Sequence, residues 1–308
     1  MFTTPLQPFH ALAYKLGIQL QVKRDDLYPF TGGGNKGRKI QTILEMAHKK
    51  SYNALVTTGG VQSNHARATA IAAAENRWPC TLVLHGDQAT LDKPASNLLL
   101  SQLTGAKLVV CQPDQIAEKL ASEYAMLRKN GLNPLLIPGG GHCLAGGLAY
   151  YNAVLELTND WIPDYIVLAS GTGTTQAGIL AGIEQRKWST QVLGISIARS
   201  NPRGSLVVDE AYSELRDFLK FNSAKKEIIF YDDWTLGGYE KVNEAIYHTI
   251  KEISQYGLIM DPTYTGKAFY GLLELIKQKI IQKNSKVLFW HTGGLLNLLA
   301  HSVGEIMK

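Results

Sequence analysis

The sequence predicts an α/β protein made of two doubly wound units, and three observations lead there. Short apolar runs alternate with stretches of helical periodicity, which implies parallel sheets covered by helices on both faces. The runs are too numerous for one such sheet, so they divide between two. Several of them end in glycine-rich loops that open a helix, which is where open α/β sheets place their ligands.

In chain order, residues 18–23 (IQLQVK) form the first strand. A helix starts near Asn35, because Ile40, Ile43, Leu44 and Ala47 recur at helical spacing. Residues 54–57 form a strand, and Ser63, Asn64 and His65 then open an alanine-rich helix. Strands follow at 81–85 and 107–111, a helix at 114–129 and a strand at 135–137. The glycine-rich run PGGGHCLAGG, residues 138–147, is a hinge candidate ahead of a helix at 148–157. Strands at 165–169, 192–198, 227–231 and 286–290 and helices at 239–255 and 266–281 complete the pattern. No fixed period marks a repeat array, and no low-complexity linker interrupts the chain.

Composition narrows the function. With 308 residues, 45% hydrophobic and 19% charged, the chain has ample material for a core. The net charge of +5 is mild and its lysines and arginines are scattered, so no nucleic-acid partner is expected. Three cysteines without a CxxC pair fit a reducing cytoplasm and argue against disulfides or a zinc site. The start MFTTPLQPFHAL lacks a signal-peptide pattern, and no apolar run is long enough to span a bilayer. A soluble, cytoplasmic protein is expected.

The loops carry the chemistry. GGGNKGRKI, residues 32–40, sets Lys36 at the start of a helix, where the dipole disfavours a cation and should lower the amine's pKa. An imine-forming lysine needs that at neutral pH. In TTGGVQSNHARATAIAAAE, residues 57–75, the helix start is an anion site suited to a carboxylate, although Ser63 or Asn64 equally serves as an ordinary cap. In ASGTGTTQAGI, residues 169–179, Gly171 and Gly173 allow close backbone approach, and Thr172, Thr174 and Thr175 add hydroxyls. Together they make a phosphate cup that is neither a Walker loop nor a GxGxxG fingerprint. A dinucleotide reading stays open there, since Arg199 could meet a 2′-phosphate. Tyr264 and Thr265 precede a helix, and His291 and Thr292 follow a strand, positions that fit caps and core aromatics as well as a site. The remaining histidines show no metal-ligand spacing, and no metal is expected.

Taken together and in order, GGGNKGRK, GGVQSNH, the Gly/Thr cup with QAG, YTGK and HTGG resemble the pyridoxal-phosphate enzymes of the tryptophan synthase β fold (fold type II). Within that group the chain resembles the branch of D-cysteine desulfhydrases and 1-aminocyclopropane-1-carboxylate (ACC) deaminases, over nearly its whole length. The resemblance implies a larger cofactor unit, residues 1–40 with 155–308, and a smaller inserted unit, residues 41–154. It implies that Lys36 carries the cofactor covalently and acts as catalytic base. Asn64 would bond the cofactor's 3-hydroxyl, Gly171 through Thr175 its phosphate, and Thr292 would face its ring nitrogen. Ser63, Asn64 and His65 would hold the substrate carboxylate, with Tyr239, Tyr264 and Thr265 on the substrate side. Tyr264 or Ser63 would protonate the leaving group. A small amino-acid substrate and a homodimer are implied as well.

The branch within the family is chemically readable. ACC deaminases carry YEGK and HLGG, where this chain has Thr265 and Thr292, the desulfhydrase pattern. A carboxylate beside the ring nitrogen keeps it protonated and makes a strong electron sink, which cyclopropane opening requires. A threonine hydroxyl is neutral and supports that charge less well. The weaker sink suffices when a good β-leaving group departs, so β-elimination from a substrate such as D-cysteine is the expected activity. Another lyase of the same scaffold, acting on L-cysteate or ACC, an NADP-dependent oxidoreductase and a non-catalytic binding module are the alternatives.

Overall fold

The computed structural model describes residues 2–239 and 241–301. Among them ten strands form: β1 Leu6–Pro8, β2 Gln19–Arg24, β3 Ala54–Gly60, β4 Cys80–His85, β5 Lys107–Cys111, β6 Pro134–Ile137, β7 Tyr165–Ser170, β8 Gln191–Ser196, β9 Ile229–Tyr231 and β10 Lys286–His291. The α-helices are α1 His10–Leu16, α2 Gly34–Lys49, α3 Asn64–Glu75, α4 Ser96–Leu103, α5 Ile116–Lys129, α6 Leu144–Leu155, α7 Thr174–Arg186, α8 Arg203–Leu219, α9 Glu244–Ser254, α10 Thr265–Lys277 and α11 Leu295–Leu298.

The strands divide into two sheets, of order β1-β2-β10-β7-β8-β9 and β5-β4-β3-β6. All pairings are parallel except that of β1 with β2. The larger sheet is buried on both faces, and the alternation along β10 makes this plain. Val287 and Phe289 join the core under α1, α9 and α10, whereas Leu288 and Trp290 join the core under α6, α7 and α8. In the smaller sheet Leu55, Leu82 and Ile137 pack with Ile40, Ile43 and Leu44 of α2 and with the alanines of α3. On its other face Ala54 and Val56 meet Leu127 of α5.

Helix α2 therefore leans on the smaller sheet while its first turn reaches the larger one. A close backbone approach makes this possible. The N–H of Asn35 donates to the Thr292 carbonyl at 2.8 Å. A β-carbon on Gly34 would lie 2.9 Å from that same oxygen, so glycine is required at a φ of +77°.

Two sequence expectations need correction. The helix expected from residue 239 begins at Glu244, because Asn243 caps it by accepting from the Ile246 N–H; Tyr239 stands ahead of it, and residue 240 lies outside the described residues. Strand β1 went unforeseen: it is three residues long, contains Pro8, and joins the sheet edge antiparallel, where a missing N–H is tolerated. Residues 302–308 of the expected C-terminal unit also lie outside the described residues. The run 138–147 connects β6 of the smaller sheet to α6, which leads to β7 of the larger sheet. All three cysteines are unpaired.

Candidate active site

The carboxyl ends of the two sheets face each other across a cavity of about 560 Å³. Four loops predicted from sequence meet there. Lys36 enters from the first turn of α2, and Ser63, Asn64 and His65 from the start of α3. Gly171, Thr172, Gly173 and Thr175 surround the start of α7, and Thr292 follows β10. Tyr239 and Tyr264 close the cavity, their hydroxyls hydrogen-bonded to each other. Among the described residues no aspartate or glutamate lines this space.

Among the described residues, Lys36 is the one lysine that lines the cavity. Its Nζ donates to the Gly140 carbonyl at 3.1 Å, and it makes no ion pair among the described residues. Burial lowers its pKa from the ordinary 10.5 to about 8. The direction matches the sequence expectation, and burial is a cause that the sequence did not show.

The walls offer anion sites. The first N–H groups of α7 and of α3 lack intrahelical acceptors and open on the cavity. Arg199 stands beside the α7 site and donates to the Gly171 carbonyl. Ser63 caps α3 through the Ala66 N–H at 3.2 Å, so the bland reading of that serine holds alongside its place in the wall.

Two threonines expected in contact with ligand lie one layer back. Thr174 is buried, with its hydroxyl on Nδ1 of His142, so its side chain is not part of the cavity wall. Thr265 is fully buried, and its hydroxyl donates to Asp261 Oδ1 at 2.8 Å. Asp261 caps α10 by accepting from the N–H groups of Thr263, Tyr264 and Thr265, and this draws Thr265 away from the cavity.

His65 takes a specific tautomer. Thr57 Oγ1 donates to the Ile137 carbonyl at 2.7 Å, so it must accept from His65 Nε2–H at 2.8 Å. Nδ1 is thereby left as a buried acceptor without a partner. Burial, then Lys36 and Lys39, push the imidazole's pKa well below 6.5. A neutral ring with a bare lone pair cannot donate to a carboxylate, so His65 contributes to an anion site only through its backbone N–H.

Sequence reasoning missed the supports. Both ends of the Asn64 amide are engaged: Asn97 Nδ2 donates to its Oδ1 at 3.1 Å, and its Nδ2 donates to Asn297 Oδ1. Arg67 holds the lysine loop by donating to the Gly32 and Gly33 carbonyls at 3.1 and 3.4 Å. Lys39, one turn beyond Lys36, is buried and reaches the same Gly140 oxygen at 3.4 Å. Nothing local in the sequence marks these residues, because each acts across a long chain separation.

A cavity with a buried amine, two helix N-termini and, among the described residues, no acid suits a ligand bearing an aldehyde and anionic groups. The comparisons agree. The pyridoxal-phosphate dependent enzyme family matches residues 1–293. The chain belongs to that family. A D-cysteine desulfhydrase of Yersinia enterocolitica is 32% identical over 97% of this chain and 93% of its own. A Thermotoga maritima protein named provisionally as a 1-aminocyclopropane-1-carboxylate deaminase is 36% identical over 97% of this chain and 96% of its own. The crystal structure of an ACC deaminase homologue superposes with a TM-score of 0.90 at 31% identity, covering 100% of this chain and 94% of that one.

Family membership decides the cofactor in favour of pyridoxal phosphate over a nicotinamide dinucleotide. The residues present fit it. The site holds a lysine with a lowered pKa and a glycine-lined helix start for a phosphate. Thr58 Oγ1, His65 Nδ1 and Ser170 Oγ are buried polar atoms of the same lining that lack a partner within the protein. Among the described residues no helix is long and apolar enough to cross a membrane.

Proposed function

We propose that this pyridoxal-phosphate enzyme is a lyase that removes the β-substituent of a cysteine-like amino acid, with D-cysteine giving pyruvate, ammonia and sulfide. One observation carries the reading: among the described residues the cavity lining contains hydroxyls but no carboxylate to hold a proton on the cofactor's ring nitrogen. Thr292 is the side chain assigned to that nitrogen. A neutral partner suits elimination of a good leaving group better than opening of a cyclopropane ring. The desulfhydrase name of a full-length relative supports the same choice.

Bound here, pyridoxal phosphate supplies the electron sink for charge developing at the substrate's Cα. The chain's residues do the rest. The loop from Gly171 through Thr175, with the first N–H groups of α7 and the Thr175 hydroxyl, would hold the phosphate, and Asn64, steadied by Asn97 and Asn297, would bond the 3-hydroxyl. The start of α3, through Ser63, Asn64 and the His65 N–H, orients the substrate carboxylate. Lys36, neutral in a large fraction near pH 8, takes the Cα proton. The Cβ–S bond then breaks, and the thiolate takes a proton from Tyr264 or Ser63. Tyr239, bonded to Tyr264, completes the substrate side. The enamine released is hydrolysed by water to the 2-oxo acid and ammonia. Thr265 acts from behind the wall by fixing Asp261 and hence Tyr264.

The reading carries a division into a larger unit, residues 1–40 with 155–308, and a smaller inserted unit, residues 41–154. The grouping of β3, β4, β5 and β6 in one sheet supports it. It also carries a homodimer acting in the cytoplasm, with free cysteines consistent with the latter. The test is a panel of D-cysteine, β-chloro-D-alanine, L-cysteate and ACC, read as 2-oxo acid, ammonia and sulfide. Sulfide with pyruvate from D-cysteine is the expected result. Turnover of ACC alone, or of no substrate by cofactor-loaded protein, overturns the proposal.

A further inference from the structure

Lys267, the third residue of α10, is fully buried yet pairs directly with no carboxylate among the described residues. Its Nζ instead donates to the carbonyls of Ile197, Thr235 and Gly238, each at 3.1 Å. Three oxygens thus saturate the three donors of one ammonium. Burial draws this amine down to about 8, with the Asp261 carboxylate opposing the drop.

The carbonyls come from places that matter. Ile197 leads into Ala198 and Arg199, and all three wall the cavity next to the phosphate cup. Gly238 immediately precedes Tyr239, which walls it on the substrate side. Between the other two oxygens, Leu236, Gly237 and Gly238 hold successive φ values of +56°, +82° and +154°. Such a run persists only where its surroundings over-determine it. Its own turn bonds are sparse, Gly238 N–H to the Thr235 carbonyl at 3.1 Å and Lys241 N–H to the Gly238 carbonyl at 3.4 Å.

We propose that Lys267 is a positioning residue: its ammonium is a tethered cation that pins Tyr239 and the 197–199 wall to α10. The three oxygens form a cation site, which a free monovalent cation can occupy once the amine is removed. Shortening the side chain takes the ammonium from three buried carbonyls, leaving that of Ile197 without this donor and those of Thr235 and Gly238 with one turn N–H each, a site suited to potassium or ammonium. A methionine fills the space and leaves the same oxygens without the ammonium and with no room for an ion.

The test begins with cofactor-free protein, followed by hydrogen exchange of the amides in the 232–243 segment. In Lys267→Ala and Lys267→Met these amides should exchange about tenfold faster or more, with the rest of the fold unchanged. Potassium or ammonium chloride should restore protection in the alanine variant only, and choline chloride in neither. With cofactor and substrate the alanine variant should show a raised KM, lowered again by the same salts. That last arm rests on the elimination reading, whereas exchange uses no substrate, so the two failures are distinguishable. Lys267→Met carries the exchange measurement if the alanine variant does not fold. Wild-type protection in the folded variants, or equal rescue of both by any salt, overturns the proposal.

Discussion

Lys36→Ala is expected to reduce turnover by about 10³-fold or more, because one amine is assigned both covalent attachment and proton transfer. Lys39 does not substitute for it. Its amine shares the Gly140 oxygen but does not line the cavity. Lys36→Arg should fail to the same extent, since a guanidinium remains protonated and cannot act as base. Neither loss reflects unfolding. Lys36 is a buried amine without an anionic partner among the described residues, so the unloaded alanine variant should melt no lower than wild type. Circular dichroism and the lyase assay together check this. Turnover within about tenfold of wild type would remove the lysine from the chemistry.

The second large effect lies beneath the site. Asp25 is fully buried, and its carboxylate accepts from Thr4 at 2.7 Å, Tyr150 at 2.7 Å, Trp290 at 2.9 Å and Arg38 at 2.8 and 3.2 Å. Arg38 also binds Glu156, which in turn binds Lys23 at 2.6 Å. The cluster ties α2 to α6, β2 and β10, and thereby holds Lys36 between the sheets. Burial alone would raise the Asp25 pKa, but Arg38 and the hydrogen bonds from Trp290 and Tyr150 outweigh it and hold it below 3.8. Asp25→Ala leaves the buried Arg38 and Lys23 charges sharing the single carboxylate of Glu156 and takes the acceptor from Tyr150 and Trp290, and a loss of about 3–5 kcal/mol in unfolding free energy is expected. The linkage has a definite sign. The folded protein keeps this carboxylate ionised to lower pH than the unfolded chain does. Its contribution is therefore complete well above pH 3.8 and fades as pH falls below it. Denaturant unfolding at neutral pH checks the magnitude, and a loss under about 1 kcal/mol would contradict the account.

Much of the fold could be read from sequence because its strands are buried on both faces, so that YIVLA and VLFW are continuous apolar runs. The edge strand β1 could not, being three residues with a proline and held by pairing alone. Helix α8 lies outside the elements expected from sequence, although Val208, Tyr212 and Leu215 repeat at helical spacing. The site loops were legible for a different reason. Glycines before a helix start carry a local chemical signal at Lys36, Ser63 and Gly171 that needs no knowledge of distant residues. The supports carry none. Asn297 meets Asn64 across 233 positions, and Trp290 meets Asp25 across 265. Thr265 illustrates the limit most sharply: its place in YTGK was visible, but the Asp261 cap that turns its hydroxyl away from the cavity was not.

The central claim is most directly tested by incubating the protein with pyridoxal phosphate, reducing with borohydride and mapping the modified peptide. The account predicts a single label on Lys36, forming faster as pH rises through about 8, where that amine loses its proton. A label spread over surface lysines, or one on Lys39 or Lys267 with Lys36 untouched, would contradict it.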